Sequence, residues 1–178
     1  MNELKELVVR SKQGDVHAFA KLYEHYSNQM YRFAFYYLGA KEDAQDAVQD
    51  AVCEAFKAIN SLKNDDSFKP WLFKILSNCC KKQITKCITG REVITEIKEE
   101  ETFLNESEMS DALLLKSEIL SLDEQEREII LLCVVCGYNS KEVSKIIGIP
   151  AGTVRSKLSR TLIKLRKSLE EDRYEKTR

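Results

Sequence analysis

The stretch from Asn139 to Leu162 limits what this chain can fold into more than any other. Asn139 suits a helix N-cap, and Glu142 three residues on completes a capping-box pattern, in which two side chains satisfy two backbone N–H groups reciprocally. Val143, Ile146 and Ile147 give that short helix an apolar face. Gly148 fits the helix end, where a left-handed residue is often needed. Pro150 suits the first turn of the next helix, because its missing N–H would be unpaired there anyway. Val154, Leu158, Leu162, Leu165 and Leu169 then recur at spacings of four, four, three and four, which makes one apolar stripe. The pattern predicts two helices joined by a sharp turn and packed through these faces.

The other face of the second helix differs in kind. Gly152, Ser156, Ser159 and Arg160 lie roughly opposite the stripe, with Thr153 beside them and Arg155, Lys157 and Lys164 flanking. Small residues let a helix approach a ligand closely, and Arg and Ser side chains reach base edges and phosphates. The arrangement reads as a helix-turn-helix with a recognition helix. Taken alone, the same residues also fit an ordinary helical hairpin with a solvated basic face.

Charge matters here through its distribution. Residues 1–90 carry 13 Lys+Arg against 11 Asp+Glu, residues 91–117 carry 3 against 8, and residues 118–178 carry 12 against 10. An acidic segment thus separates two mildly basic blocks. Neither block is basic enough to hold DNA tightly alone, so a partner is expected to help. Two prolines and six glycines leave little turn chemistry for a β-rich fold. The reading is all-α: two helical domains joined by an acidic linker, the second a helix-turn-helix. Their bounds are 1–90, 91–110 for the linker, and 111–178.

No run approaches the 18 or more apolar residues of a membrane span, and the first residues lack a signal-peptide layout. No membrane insertion and a cytoplasmic protein are therefore expected. Six cysteines raise the question of metal. Cys133 and Cys136 form a C-x-x-C, but within an apolar run, Ile129 to Cys136, and the two histidines, His17 and His25, lie far away in sequence. Zinc lacks its usual ligand set. The cysteines read as small buried apolar residues, and neither metal nor cofactor is expected.

Along the chain, helices are expected over 2–13, 16–38 and 41–60, with Asp15 as a cap and Gly39 as a stop. The third helix keeps an apolar stripe from Ala44 to Ile59. Its other face carries Glu42, Asp43, Asp46, Gln49, Asp50 and Glu54, charges of one sign that fit a basic partner surface. A polar loop covers 61–69, and Pro70 opens a helix running to about Lys86. There Lys69, Lys74, Lys81, Lys82 and Lys86 interleave with Phe68, Trp71 and Phe73. Such a mix suits single-stranded nucleic acid, with rings stacking on bases and lysines meeting phosphates. Trp71 and Phe73 fit a core role equally well. Residues 91–110 show little apolar periodicity and read as a linker of roughly 70 Å at full extension. That reach is about two turns of duplex. A short helix over 111–120 follows, then one capped by Ser121 or Asp123 and ending at Gly137.

Four stretches, in this order, resemble the extracytoplasmic-function class of bacterial sigma factors over nearly the whole chain. Gly14-Asp-Val-His-Ala-Phe-Ala-Lys-Leu-Tyr-Glu-His-Tyr is similar to the opening of the family's region two. Asp43-Ala-Gln-Asp-Ala-Val-Gln-Asp is similar to its polymerase-binding helix. Phe68-Lys-Pro-Trp-Leu-Phe-Lys-Ile-Leu-Ser-Asn resembles its promoter-melting, minus-ten-reading segment, and the residues from Gly148 to Arg160 its minus-thirty-five recognition helix. No block corresponds to the extra regions one and three of larger sigma factors. Departures are Asp123, where the family commonly has Pro, then Ser140 and Ser144, and the Cys79-Cys80 pair.

The resemblance implies a mechanism. Asp46, Gln49 and Asp50 dock a coiled coil of core RNA polymerase. Arg155, Ser156, Ser159 and Arg160, with Thr153, read duplex promoter DNA in the major groove, while Lys157 and Lys164 lie nearer phosphates. Loop 61–69 with Phe68 and Asn78 captures single-stranded promoter DNA, assisted by Lys74 and Lys81. An anti-sigma factor is implied as a further partner. No catalytic group is expected, because the polymerase makes the bonds. The alternative is a helix-turn-helix regulator that binds duplex DNA without docking polymerase.

Overall fold

The computed structural model describes the backbone of residues 3–90 and 106–176, and the side chains of 3–86 and 113–171. Every regular element among them is helical. The first unit comprises α1 (Glu3–Lys12), α2 (Val16–Leu38), α3 (Lys41–Ala58) and α4 (Phe68–Gly90). The second comprises α5 (Glu106–Ser121), α6 (Glu124–Ile130), α7 (Ser140–Ile147) and α8 (Ala151–Lys176).

Local chemistry sets most boundaries. Asp15 accepts from the Ala18 N–H at 3.0 Å and starts α2. Asp123 accepts from Glu126 N–H at 2.7 Å and starts α6. α2 stops at Gly39, whose φ of +80° is left-handed. The same glycine makes room for a neighbour: an added Cβ would lie 2.8 Å from Leu120 Cδ1 on α5. Two helix starts differ from expectation. α4 begins at Phe68 rather than Pro70; a proline near the start of a helix lacks only an N–H that would be orphaned anyway. α5 begins at Glu106, inside the stretch assigned to the linker. The rest of that assignment, 91–105, lies outside the described residues.

α2 is the spine of the first unit, with α1, α3 and α4 packed around it. Leu22, Met30, Phe33, Ala34 and Tyr37 on α2 are fully buried, as are Phe73 and Leu76 of α4. Burial of the Leu, Met and Phe side chains among them contributes about 1.5–3 kcal/mol each. In the second unit α5, α6 and α7 all pack on α8. The stripe predicted for α8 drifts: Val154 and Leu165 are buried, but Leu162 is 45 % exposed and Thr161 takes the inward place. Spacings of four and three only approximate the helical repeat, so a long stripe rotates off a flat contact.

The two units touch. One continuous set of buried side chains runs from Leu7 through α2 and α4 to Leu131, Tyr138, Val143 and Val154. Phe73 sits between Phe33, at 6.1 Å between centroids, and Tyr138 of the second unit, at 5.8 Å. Arg127 joins the units through its guanidinium, donating to the Tyr37 carbonyl at 2.9 Å and to the Leu122 carbonyl at 3.1 Å. After Ile130 the α6 chain widens into a π turn, Leu131–Val135. Carbonyls of Val135 and Cys136 then accept from Gln29 (3.2 Å) and Lys69 (3.0 Å) of the first unit.

Candidate nucleic-acid and protein interfaces

The α8 face begins with how α7 is held. Asn139 Oδ1 accepts from the N–H groups of Lys141 (3.0 Å) and Glu142 (3.1 Å), while Glu142 Oε2 accepts from Asn139 N–H at 2.8 Å. Gly148, at φ +76°, turns the chain, and α8 follows. Val143 and Ile146 of α7 and Val154 of α8 are buried, which fixes the rotation of α8. Thr153, Arg155, Ser156, Ser159 and Arg160 are therefore exposed together on one side. Arg160 Nε donates to the Ser156 carbonyl at 3.2 Å, and Ser156 Oγ to that of Thr153 at 3.1 Å. Lys157 is half-buried, and Lys164 is exposed, 3.7 Å from Glu126. Nothing in the fold demands a glycine at 152, since an added Cβ would meet only Arg155 Nη2 at 4.0 Å.

On α3, Ala44, Ala47, Val48, Ala51 and Ala55 are buried, leaving Asp46, Gln49, Asp50 and Glu54 exposed. Lysines of α4 flank this acidic face: Lys86 lies 3.7 Å from Asp50, and Lys82 donates to Glu54 at 2.8 Å. Both pairs are exposed, and water and salt screen such pairs strongly. The face thus keeps its negative charge at low energetic commitment.

The α4 site is only partly as expected. Lys74 and Asn78 are exposed. Phe68 is not available as a stacking platform: it is 4 % exposed, against the rings of Tyr26 and Trp71 at 6.0 and 5.9 Å. A phenylalanine at the first turn of a helix that lies on α2 is drawn into the core. Lys81 is occupied. It donates to Glu128 Oε2 at 2.8 Å, and Ser77 Oγ donates to Glu128 Oε1 in a very short bond. The expected capture loop is also more ordered than a polar loop. Lys12 donates to the Leu62 carbonyl and to Asp65, each at 2.9 Å, and Lys5 to Asp66 at 2.9 Å. Asp66 holds the Lys5 ammonium above its usual range.

Burial raises the thiol of Cys79 to about 11 and that of Cys136 to about 12, and pushes Cys80 up as well. Such thiols stay protonated and unreactive. Among the described residues no three His, Cys, Asp or Glu side chains are grouped to hold a metal. An apolar groove of about 620 Å³ lies between α2, α5, the π turn and α8, lined by Leu115, Val134, Leu162 and Leu169 among others. No described helix is long and apolar enough to cross a membrane.

Comparison with known proteins fits this geometry. A family model of sigma-70 region 2 matches residues 22–87, and one of sigma-70 region 4 matches residues 112–165. The ECF RNA polymerase sigma-E factor of Escherichia coli K12 is 31% identical over 170 residues, covering 86% of this chain and 87% of that protein. A solved structure of CnrH in complex with the cytosolic domain of CnrY has a similar fold, with a TM-score of 0.77 at 22% identity over 96% of this chain and 99% of that one. The sigma factor RpoE of Bartonella quintana, solved with the anti-sigma factor NepR, gives 0.71 at 23% identity, over 87% and 98%. With its acidic α3 face, its α4 site and its turn-mounted α8, the chain belongs to the extracytoplasmic-function class of RNA polymerase sigma factors.

Proposed function

We propose that the chain is an alternative sigma factor whose two units, with bounds near 1–90 and 111–178, divide the work as follows. Asp46, Gln49 and Asp50 dock a basic surface of core RNA polymerase. Arg155, Ser156, Ser159 and Arg160, with Thr153, read a minus-thirty-five element, and Lys157 and Lys164 meet its phosphates. Asn78 and Lys74 of α4, with Lys81 once released, engage the melted minus-ten strand. The chain supplies no catalytic group and acts in the cytoplasm.

The observation that carries this reading is the α8 face. Its Arg and Ser side chains are exposed together beside a glycine that the fold does not need. Arg bonded bidentately to guanine is the commonest specific major-groove contact. The apolar groove at α5 and α8 is offered to a helix of an anti-sigma factor, the class of partner with which Bartonella quintana RpoE was solved. Exposed Leu115, Val134 and Leu162 supply the apolar contact.

Run-off transcription tests the proposal, using purified core polymerase and pooled genomic promoter fragments with and without the chain. Discrete transcripts that need the chain are expected. Tight duplex binding by the free chain, without such transcripts, would favour a conventional regulator.

A further inference from the structure

α1 reaches the loop between α3 and α4 through two lysines. Lys12 Nζ donates to the Leu62 carbonyl and to Asp65 Oδ1, each at 2.9 Å. Lys5 Nζ donates to Asp66 Oδ2 at 2.9 Å. Leu62 and Asp65 flank Lys63 and Asn64, the exposed tip of the loop, so one ammonium ties the tip at both ends. Asn64 adds a second fastening. Its Oδ1 accepts from the Asp66 N–H at 3.0 Å, and its carbonyl accepts from the Ser67 N–H at 2.9 Å. These bonds start the 3-10 turn Asp65–Ser67 that leads into α4. Behind the tip Leu62 is buried, as are Leu7 and Val8 of α1. α1 in turn packs on α2, the spine of the unit.

The two ion pairs differ. Lys5 and Asp66 are 41% and 64% exposed, and solvent screens such a pair. Lys12 and Asp65 are 27% and 23% exposed, and the Leu62 carbonyl gives the Lys12 ammonium a second acceptor. Hydrogen bonds with an ionised partner are the stronger kind. Lys12 therefore restricts the backbone on either side of the tip, and a loop ordered beforehand loses less freedom when a ligand arrives. Charge works in the same direction. Asp65 and Asp66 are adjacent carboxylates in a loop read as receiving an anionic strand. Lys12 and Lys5 each counter one of them, which lowers the repulsion that phosphates would meet. One unpaired base is told from another by hydrogen bonds to its edge, and those need donors and acceptors held in place.

We propose that Lys12 is a positioning residue for minus-ten recognition: tied to Leu62 and Asp65, it holds the tip, residues 63–64, in the conformation that receives an unpaired promoter base. Lys12 acts through the loop and makes no contact with DNA. α1, which carries none of the residues assigned above to polymerase or promoter, thereby takes part in specificity. The proposal rests on the sigma-factor reading, with loop 61–69 as the capture loop.

The test uses holoenzymes assembled from core polymerase and the full-length chain as wild type, Lys12→Ala, Lys12→Arg or Asp65→Asn. The templates are the promoter fragment that gives the strongest chain-dependent transcript and its single-base variants across the minus-ten and minus-thirty-five elements. The ratio of run-off rates, cognate over variant, gives discrimination at each position. Lys12→Ala should cut discrimination at one or two minus-ten positions by about fivefold, near the lower cost of a single mismatched base. Ratios at minus-thirty-five positions should stay as in wild type. Lys12→Arg, whose guanidinium can donate to both acceptors, should restore most of the loss. Asp65→Asn should show a smaller loss at the same positions. A role in stability alone predicts lower rates on every template with unchanged ratios. That result, a wild-type profile from folded Lys12→Ala, or equal loss at both elements overturns the proposal. Circular dichroism checks folding, and should Lys12→Ala unfold, Asp65→Asn decides by the same ratios. Absence of chain-dependent transcripts from the wild type would defeat the sigma-factor reading itself, and the proposal with it.

Discussion

α4 and α8 are both long helices bearing lysine or arginine, and both are read as DNA contacts, yet they are built in opposite ways. α8 is held along one side, at Val154, Thr161 and Leu165, and leaves its cationic side to solvent. α4 is embedded: Phe68, Leu72, Phe73, Leu76, Ser77, Cys79 and Cys80 are all buried. It touches α2 and α3 in its own unit and α7 in the other. The difference fits the ligand proposed for each. A duplex groove accepts a whole helix, so α8 must stand clear. Unpaired bases need only a few side chains at the mouth of a rigid support, which α4 provides with Lys74 and Asn78.

The largest expected effect attacks the embedded helix. Phe73→Ala should lower unfolding stability by about 3–5 kcal/mol, since it leaves a cavity between Phe33 and Tyr138 that neither unit can fill alone. Urea unfolding of the full chain measures this. A loss under about 1 kcal/mol would mean that α4 is not the shared core of the two units. Next, Arg155→Ala and Arg160→Ala should leave stability nearly unchanged, because both side chains are exposed. Each should weaken binding to the cognate duplex by about 1–3 kcal/mol if it reads a base. Unchanged discrimination between promoters in both variants would remove the role given to α8.

The acidic face lies between these cases. Asp50→Arg gives up only an exposed contact 3.7 Å from Lys86, so the fold should hold. Core polymerase affinity should fall by about tenfold or more, roughly 1.4 kcal/mol, as a like charge meets a basic surface. Titration against labelled core would show it. Equal affinity would mean that α3 is merely solvated.

The same contrast explains what the residues revealed before folding. Asp15, Gly39, Asn139, Glu142 and Gly148 were legible because each acts within a few residues of itself, through a cap or a left-handed turn. The α8 face was legible because one helix is a local object with a fixed repeat. α4 was legible only in part. Its lysines and aromatics have no single buried stripe, since neighbours press on it from several sides. Phe68 looked like a surface ring and proved to be core. Nothing local in the sequence singles out Glu128 beside Ile129. Its burial depends on Lys81, 47 residues earlier, and Arg127 reaches Tyr37 across 90. Contacts at such range leave no periodic trace. Nor does the π turn, because Ile129 to Cys136 reads as unbroken apolar helix.

α7 is where the two designs meet, since it packs on both α4 and α8. It runs for eight residues, Ser140–Ile147, too few to stand without tertiary support. Its N-terminus depends on Asn139, whose loss strands the N–H groups of Lys141 and Glu142. Asn139→Ala should therefore lower stability by about 1 kcal/mol, whereas Asn139→Asp, another strong cap, should preserve it. Hydrogen exchange locates the effect. If faster exchange stays within α7, then Val143 and Ile146 alone hold α8 in place, and duplex binding should survive. If it spreads into the first turns of α8, the cap also sets the angle of the reading face, and affinity for duplex should fall with it. Spread into α4 instead would tie the exposed helix and the embedded one to a single capping residue, and the contrast between them would weaken.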